Sequence, residues 1–140
     1  MSQTTIGLLV YRGANGNDSK PTRHTSIFFQ TDTTTGTVVH ATGPVRNFRV
    51  EILQGYNPLT SSTLAGRVIV GATPQCLDTL QALVAQVPVN NDLDDWNCQN
   101  WVGEALQRLV ENKVISAGQK SVALDGMVDL LLEGRDDQPF

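Results

Sequence analysis

Reactive side chains are few in this chain: two histidines, His24 and His40, and two cysteines, Cys76 and Cys98. Cys98 lies in Asp95-Trp96-Asn97-Cys98-Gln99-Asn100-Trp101-Val102, a stretch expected to open a helix. Amides in a first helical turn lack intrahelical partners, and the positive end of the helix dipole favours an anion. An ordinary thiol, with a pKa of about 8.5, is only about 3% ionised at neutral pH, and lowering that to about 7 ionises roughly half. Asp92, Asp94 and Asp95 oppose this if they lie close, since negative charge disfavours a thiolate. They serve instead as helix caps if they do not. Cysteine is also among the most commonly buried residues, so a thiol on a helix has packing as its other role.

Both histidines fall in an expected hairpin. His24, Ser26, Phe28 and Gln30 share one face of their strand, and Val38, His40 and Thr42 share one face of theirs. If paired residue numbers sum to an even value, the imidazoles lie on the same face, opposite one another at 64 and diagonal at 66. An odd sum separates them onto opposite faces. The alternative role of a strand histidine is a half-buried, hydrogen-bonded side chain.

Other chemistries find little purchase. Gly13-Ala14-Asn15-Gly16 lacks the spacing and the Lys-Ser/Thr of a phosphate loop, no serine stands in a nucleophile elbow, and no calcium-loop spacing follows Asp92, Asp94 and Asp95. Asn17-Asp18-Ser19 matches a glycosylation acceptor and reads as an exposed turn. Cys76 matches no motif, and packing is its expected role. Cys98, His24 and His40 together suit zinc with one open position, but their spacing matches no standard zinc motif. No cofactor and no metal is therefore expected.

Strands are expected at 6–11, 25–30, 37–41, 47–53 and 67–70. The fourth alternates Phe48, Val50 and Ile52 against Arg49 and Glu51, the period of a half-buried strand. Thr73-Pro74 reads as a cap followed by proline at the first helical position, opening a helix that carries Leu77, Leu80, Val84 and Val87 and stops at Pro88. A second helix starts near 94–97, and a third covers 121–133 with Leu124, Met127, Val128 and Leu131, ended by Gly134. The segment 54–66 reads as loop. The expected fold class is α+β, an antiparallel sheet of about five strands packed against about three helices, in one domain over 1–140.

Apolar residues are 40% and charged residues 17% of the 140, which excludes a disordered tail. The net charge of -4 argues against a partner bound through its phosphates, so no nucleic acid is expected. The acidic excess belongs to residues 90–140, with four basic and ten acidic side chains against six and four in 1–89, as a solvated helical face would have. No window approaches 18 consecutive apolar residues, and the first residues carry no basic region of a secretory signal. A soluble, cytoplasmic protein without a membrane anchor is the expectation. Two cysteines in a reducing compartment are expected to stay free.

Arg23-His24-Thr25-Ser26-Ile27-Phe28, a turn, then Val38-Val39-His40, resembles the histidine hairpin of lecithin–retinol acyltransferase-like proteins. Asn97-Cys98-Gln99-Asn100-Trp101-Val102, with Glu104 beyond, resembles their Asn-Cys-Glu-His-Phe-Val box, with Asn100 where that box has histidine. Tyr11 and its strand resemble the group's first strand. The likeness covers roughly residues 5–42 and 94–107; residues 43–93 match nothing in it. These proteins form the permuted branch of the NlpC-type, papain-like superfamily, in which histidine precedes cysteine. The resemblance implies Cys98 as nucleophile, His24 as general base and His40 as the polar residue that orients it. It also makes the Cys98 amide an oxyanion donor.

The function this implies is a cysteine-dependent hydrolase or acyl/peptidyl transferase, working through a thioester on a small-molecule or peptide acyl substrate. The alternative is a catalytically silent papain-like domain that binds a peptide or protein partner, with Trp96 and Trp101 as groove walls.

Overall fold

The computed structural model describes residues 3–13 and 23–133. The expected turn at 13–18 lies outside them after Gly13, as do the acceptor pattern at 17–19 and the Gly134 cap. Five strands, β1 (Thr4–Tyr11), β2 (His24–Gln30), β3 (Gly36–Thr42), β4 (Arg49–Tyr56) and β5 (Leu64–Thr73), precede three helices, α1 (Leu77–Ala85), α2 (Cys98–Glu111) and α3 (Ala117–Leu132). The strands form one antiparallel sheet in the order β4-β3-β2-β1-β5. The expected α+β class, with five strands and three helices, is what forms.

One face of the sheet meets the helices. Ile6, Leu8 and Val10 of β1, Ile27 and Phe29 of β2 and Val39 and Ala41 of β3 alternate inward onto Leu80, Val84, Trp101, Leu106 and Leu109. This is the period of two meeting the period of 3.6. α2 lies against β2 and β3, and α3 against β5. The other face carries a smaller cluster, Leu9, Phe28 and Val38, joined by Tyr11, Leu53, Tyr56 and Leu64. The edge strands β4 and β5 supply Leu53, Tyr56 and Leu64 to it, so the sheet curls toward itself on that side. Irregular pairing at Ile6/Gly7, Val10/Tyr11 and Gly36/Val38 helps it bend.

Several boundaries differ from expectation: β4 starts at Arg49 and runs on to Tyr56, into the segment read as loop. β5 runs ten residues, because Leu64–Thr73 pairs with β1 along its whole length although its composition is not strongly apolar. Thr73 therefore ends a strand rather than capping a helix. Its hydroxyl accepts from the Gln75 amide, and α1 begins at Leu77 after Cys76. α3 begins four residues before the expected start. Ser116 and Gln119 close a reciprocal capping box there, a Ser-x-x-Gln signature present in the sequence. Ile52 is 39% exposed rather than core, since β4 is an edge strand.

Candidate functional site

The β2–β3 hairpin decides whether the histidines meet. Ile27 pairs with Val39 and Gln30 with Gly36, a sum of 66, so His24 and His40 are diagonal neighbours on one face. Gly36 permits this closure: a Cβ there would overlap the Phe29 carbonyl. His24 Nε2 lies 2.6 Å from His40 Nδ1, with the rings edge to face at 4.8 Å between centroids.

The chain of contacts continues to a residue the sequence did not single out. Glu51 of β4 pairs directly with His40, and its Oε1 accepts from His40 Nε2 at 2.8 Å. That bond, ahead of every other influence, holds the Glu51 carboxyl below the usual range. Glu51 was legible only as the polar side of an alternating strand; the signal it offered was a carboxylate in mid-strand on the face opposite Val50 and Ile52.

His24 is pushed down from the ordinary 6.5 to about 4, by burial first and by His40 second. The pair is accordingly neutral at pH 7 on the His24 side. Tyr11, directly across from His24, has its ring 6.1 Å away and its hydroxyl 3.2 Å from that of Tyr56. Burial, then this contact, raises the Tyr11 phenol far above its usual value. A cavity of about 250 Å³ opens before the two imidazoles, walled by Tyr11, Tyr56, Val38 and Leu53. The larger cleft of about 530 Å³ lies between α2 and α3 and is lined by no histidine or cysteine; the smaller one meets the two histidines.

Cys98 is the first residue of α2, within the first turn as expected. Asn97 caps the helix, accepting from the Gln99 amide at 2.9 Å, and Asn100 returns the favour to the Asn97 amide at 3.0 Å. Asn100 thus closes a capping box with Asn97. The aspartates do neither of the things expected of them: Asp94 binds Arg46 at 2.9 Å, and none of the three appears among the influences on the thiol. The helix start is tied to the strand start. Gln99 Nε2 donates to the Arg23 carbonyl at 3.1 Å, and the buried Arg23 guanidinium donates to the Leu130 carbonyl near the end of α3.

This seats the Cys98 thiol beside Thr25, the neighbour of His24. The thiol is only 7% exposed, and burial pushes its pKa up. The Thr25 amide and hydroxyl, and the backbone amides of Cys98 and Gln99, pull the other way with less effect. Thr25 Oγ1 makes no hydrogen bond of ordinary geometry, so its help to the sulfur is a matter of proximity. No hydrogen bond joins Cys98 to His24 among the described residues. The structure therefore brings His24, His40 and Glu51 into one hydrogen-bonded chain on the sheet face of Phe28 and Val38, and sets Cys98 against Thr25, which alternates to the helix face, so the expected trio is not brought together. The expected activation of Cys98 by the helix start is overturned in the resting protein, because burial outweighs it.

Neither tryptophan walls a groove. Trp101 is fully buried and donates to the Val87 carbonyl at 3.1 Å; Trp96, 5% exposed, stacks edge-on against Phe48 and donates to Glu104. Cys76 is exposed rather than packed. Among the described residues no group of three or more histidine, cysteine or carboxylate side chains is arranged to hold a metal ion, and no helix is long and apolar enough to cross a membrane.

A model described as a family of unknown function (DUF6540) matches residues 7–116. The chain belongs to that family. The matched stretch contains Tyr11, His24, His40, Glu51 and Cys98 and stops before α3. No curated protein and no solved structure matches the chain.

Proposed function

We propose that this protein is a permuted papain-like, cysteine-dependent hydrolase or acyl/peptidyl transferase. Cys98 is its nucleophile, His24 its general base and His40 the residue that orients His24. The observation that carries this reading is the 2.6 Å bond between His24 and His40, on a strand whose next residue touches the Cys98 thiol. A buried pair of imidazoles held edge to face is costly to desolvate, and it suits proton transfer better than packing.

In the resting state the Cys98 thiol and the His24 imidazole are both neutral, given a raised thiol and a lowered His24. Attack and proton transfer then go together. As the Sγ–carbon bond forms, His24 takes the thiol proton and the carbonyl electron pair moves to oxygen. The amides at the start of α2 stabilise that oxyanion. Collapse breaks the bond to the leaving group, which receives the proton from His24. Water or an amine or alcohol acceptor next gives its proton to His24 and attacks the thioester; the bond to sulfur breaks, and the departing Cys98 thiolate takes that proton back from His24. The substrate class is an amide, ester or thioester of a small molecule or peptide.

The test is alkylation of the native protein with iodoacetamide between pH 7 and 10, read by peptide mass spectrometry in a Cys76→Ser background. That background is needed because Cys76 is exposed and reacts on its own account. The expected result is modification of Cys98 in the folded protein, slowed in His24→Ala. Modification of Cys98 only after denaturation overturns the proposal. It would leave the second reading, a catalytically silent domain that binds a peptide or protein partner, which the thiol's 7% exposure and its missing bond to His24 favour.

A further inference from the structure

We propose that Glu51 is a positioning residue that selects, through His40, which nitrogen of His24 accepts a proton. The proposal rests on the reading of His24 as the base and adds a fourth member to the site. A carboxylate only accepts hydrogen bonds, so His40 Nε2, 2.8 Å from Glu51 Oε1, must carry a proton. While His40 is neutral its Nδ1 is then a bare acceptor. His24 Nε2, 2.6 Å from that Nδ1, must donate to it. A neutral His24 that donates from Nε2 has its lone pair on Nδ1.

Each bond thus fixes the next: the carboxylate on an edge strand determines the tautomer of an imidazole two strands away. Extra protonation of the pair undoes this. A proton on His40 Nδ1 reverses the shared bond, makes His24 Nε2 the acceptor and moves the His24 proton to Nδ1, where the base is lost. The other groups facing the pair are Tyr11 from β1 and Arg49 and Tyr56 from β4. Arg49 lies 3.8 Å from the second oxygen of Glu51 and holds the carboxylate without contacting either ring. Of these groups only Glu51 accepts from His40.

The ring nitrogens can be read directly by nitrogen-15 NMR of histidine-labelled full-length protein at pH 8. In the native chain both rings should show protonated Nε2 and bare Nδ1. Glu51→Gln can donate as well as accept, so it should move His24 to a mixture in which Nδ1 is partly protonated. It should also slow Cys98 alkylation about tenfold, a fraction of the 10²–10⁴ that general acid–base catalysis commonly supplies. A protonated His24 Nδ1 in the native protein, or ring signals unchanged in Glu51→Gln, overturns the proposal. If the ring signals move as stated while Cys98 stays inert in every sample, the role of Glu51 stands and the cysteine mechanism falls.

Discussion

Both cysteines stand at the start of a helix, and their surroundings separate them. Cys76 caps α1 on the surface, its sulfur 3.1 Å from the Thr79 hydroxyl, and that contact, before all else, draws its pKa down. Cys98 opens α2 beneath β2, where burial drives its pKa up. Proximity to a helix dipole is common to the two, so it cannot be what distinguishes them. Solvent favours the charged form at Cys76. Burial disfavours it at Cys98, and only Cys98 has an imidazole chain on the adjoining strand. The thiol easier to ionise is thus not the one placed for catalysis.

The largest expected effect separates the two by function. Cys98→Ala should lower acyl transfer or hydrolysis at least about a thousandfold, as loss of a nucleophile does elsewhere, while Cys76→Ser should leave the rate unchanged. Steady-state rates on an activated ester read both. An equal loss in both variants would break the distinction.

Next comes His24→Ala, which removes the base and should cost about 10²–10⁴ in the same assay. It should leave the alkylation of Cys76 untouched.

The pH dependence of alkylation sharpens the contrast between the sulfurs themselves. A lowered thiol ionises at lower pH than a raised one, so modification of Cys76 should level off earlier as pH rises. A raised thiol gains thiolate only at higher pH, so modification of Cys98 should keep climbing beyond pH 9. At pH 7 Cys76 should react about ten times faster or more. Mass spectrometry of the two peptides across a pH series measures this.

Stability carries the imprint of the histidine side. His24 titrates at about 4 in the folded protein against 6.5 ordinarily, so between those values the unfolded chain binds more protons. The contribution is present in full above 6.5 and is lost as pH falls toward about 4, amounting to at most about 3 kcal/mol. Urea unfolding of the native chain should weaken over that window relative to His24→Gln. Parallel curves would contradict the assignment. The smallest effect belongs to Thr25→Val, which removes a hydroxyl that favours the thiolate and should shift the Cys98 alkylation curve upward by less than one pH unit.

Much of this arrangement could be read from residue spacing, and the parts that could not have physical reasons. Alternation in β1 to β4 and the 3.6 period in α2 are local properties, and so is the parity that puts His24 and His40 on one face. The sum of 66 was one of three possibilities, and the five-residue turn before Gly36 selected it. β5 escaped notice beyond Arg67–Val70 because an edge strand needs partners more than it needs apolar side chains. Thr73-Pro74 misled because a hydroxyl followed by proline ends a strand as readily as it starts a helix. Ser116 and Gln119 carried a cap signal that apolar periodicity overshadowed. Glu51 and the burial of Cys98 depend on pairing between strands and on packing of α2 against β2, contacts too distant in sequence for spacing to report.

Acyl transfer to sulfur tests the central claim most directly. Full-length Cys76→Ser protein, mixed with p-nitrophenyl acetate at neutral pH and quenched in acid, should carry an acetyl thioester on Cys98, formed about a hundred times more slowly in His24→Ala. Absence of acetylated Cys98 in the folded protein, or equal rates with and without His24, would contradict it.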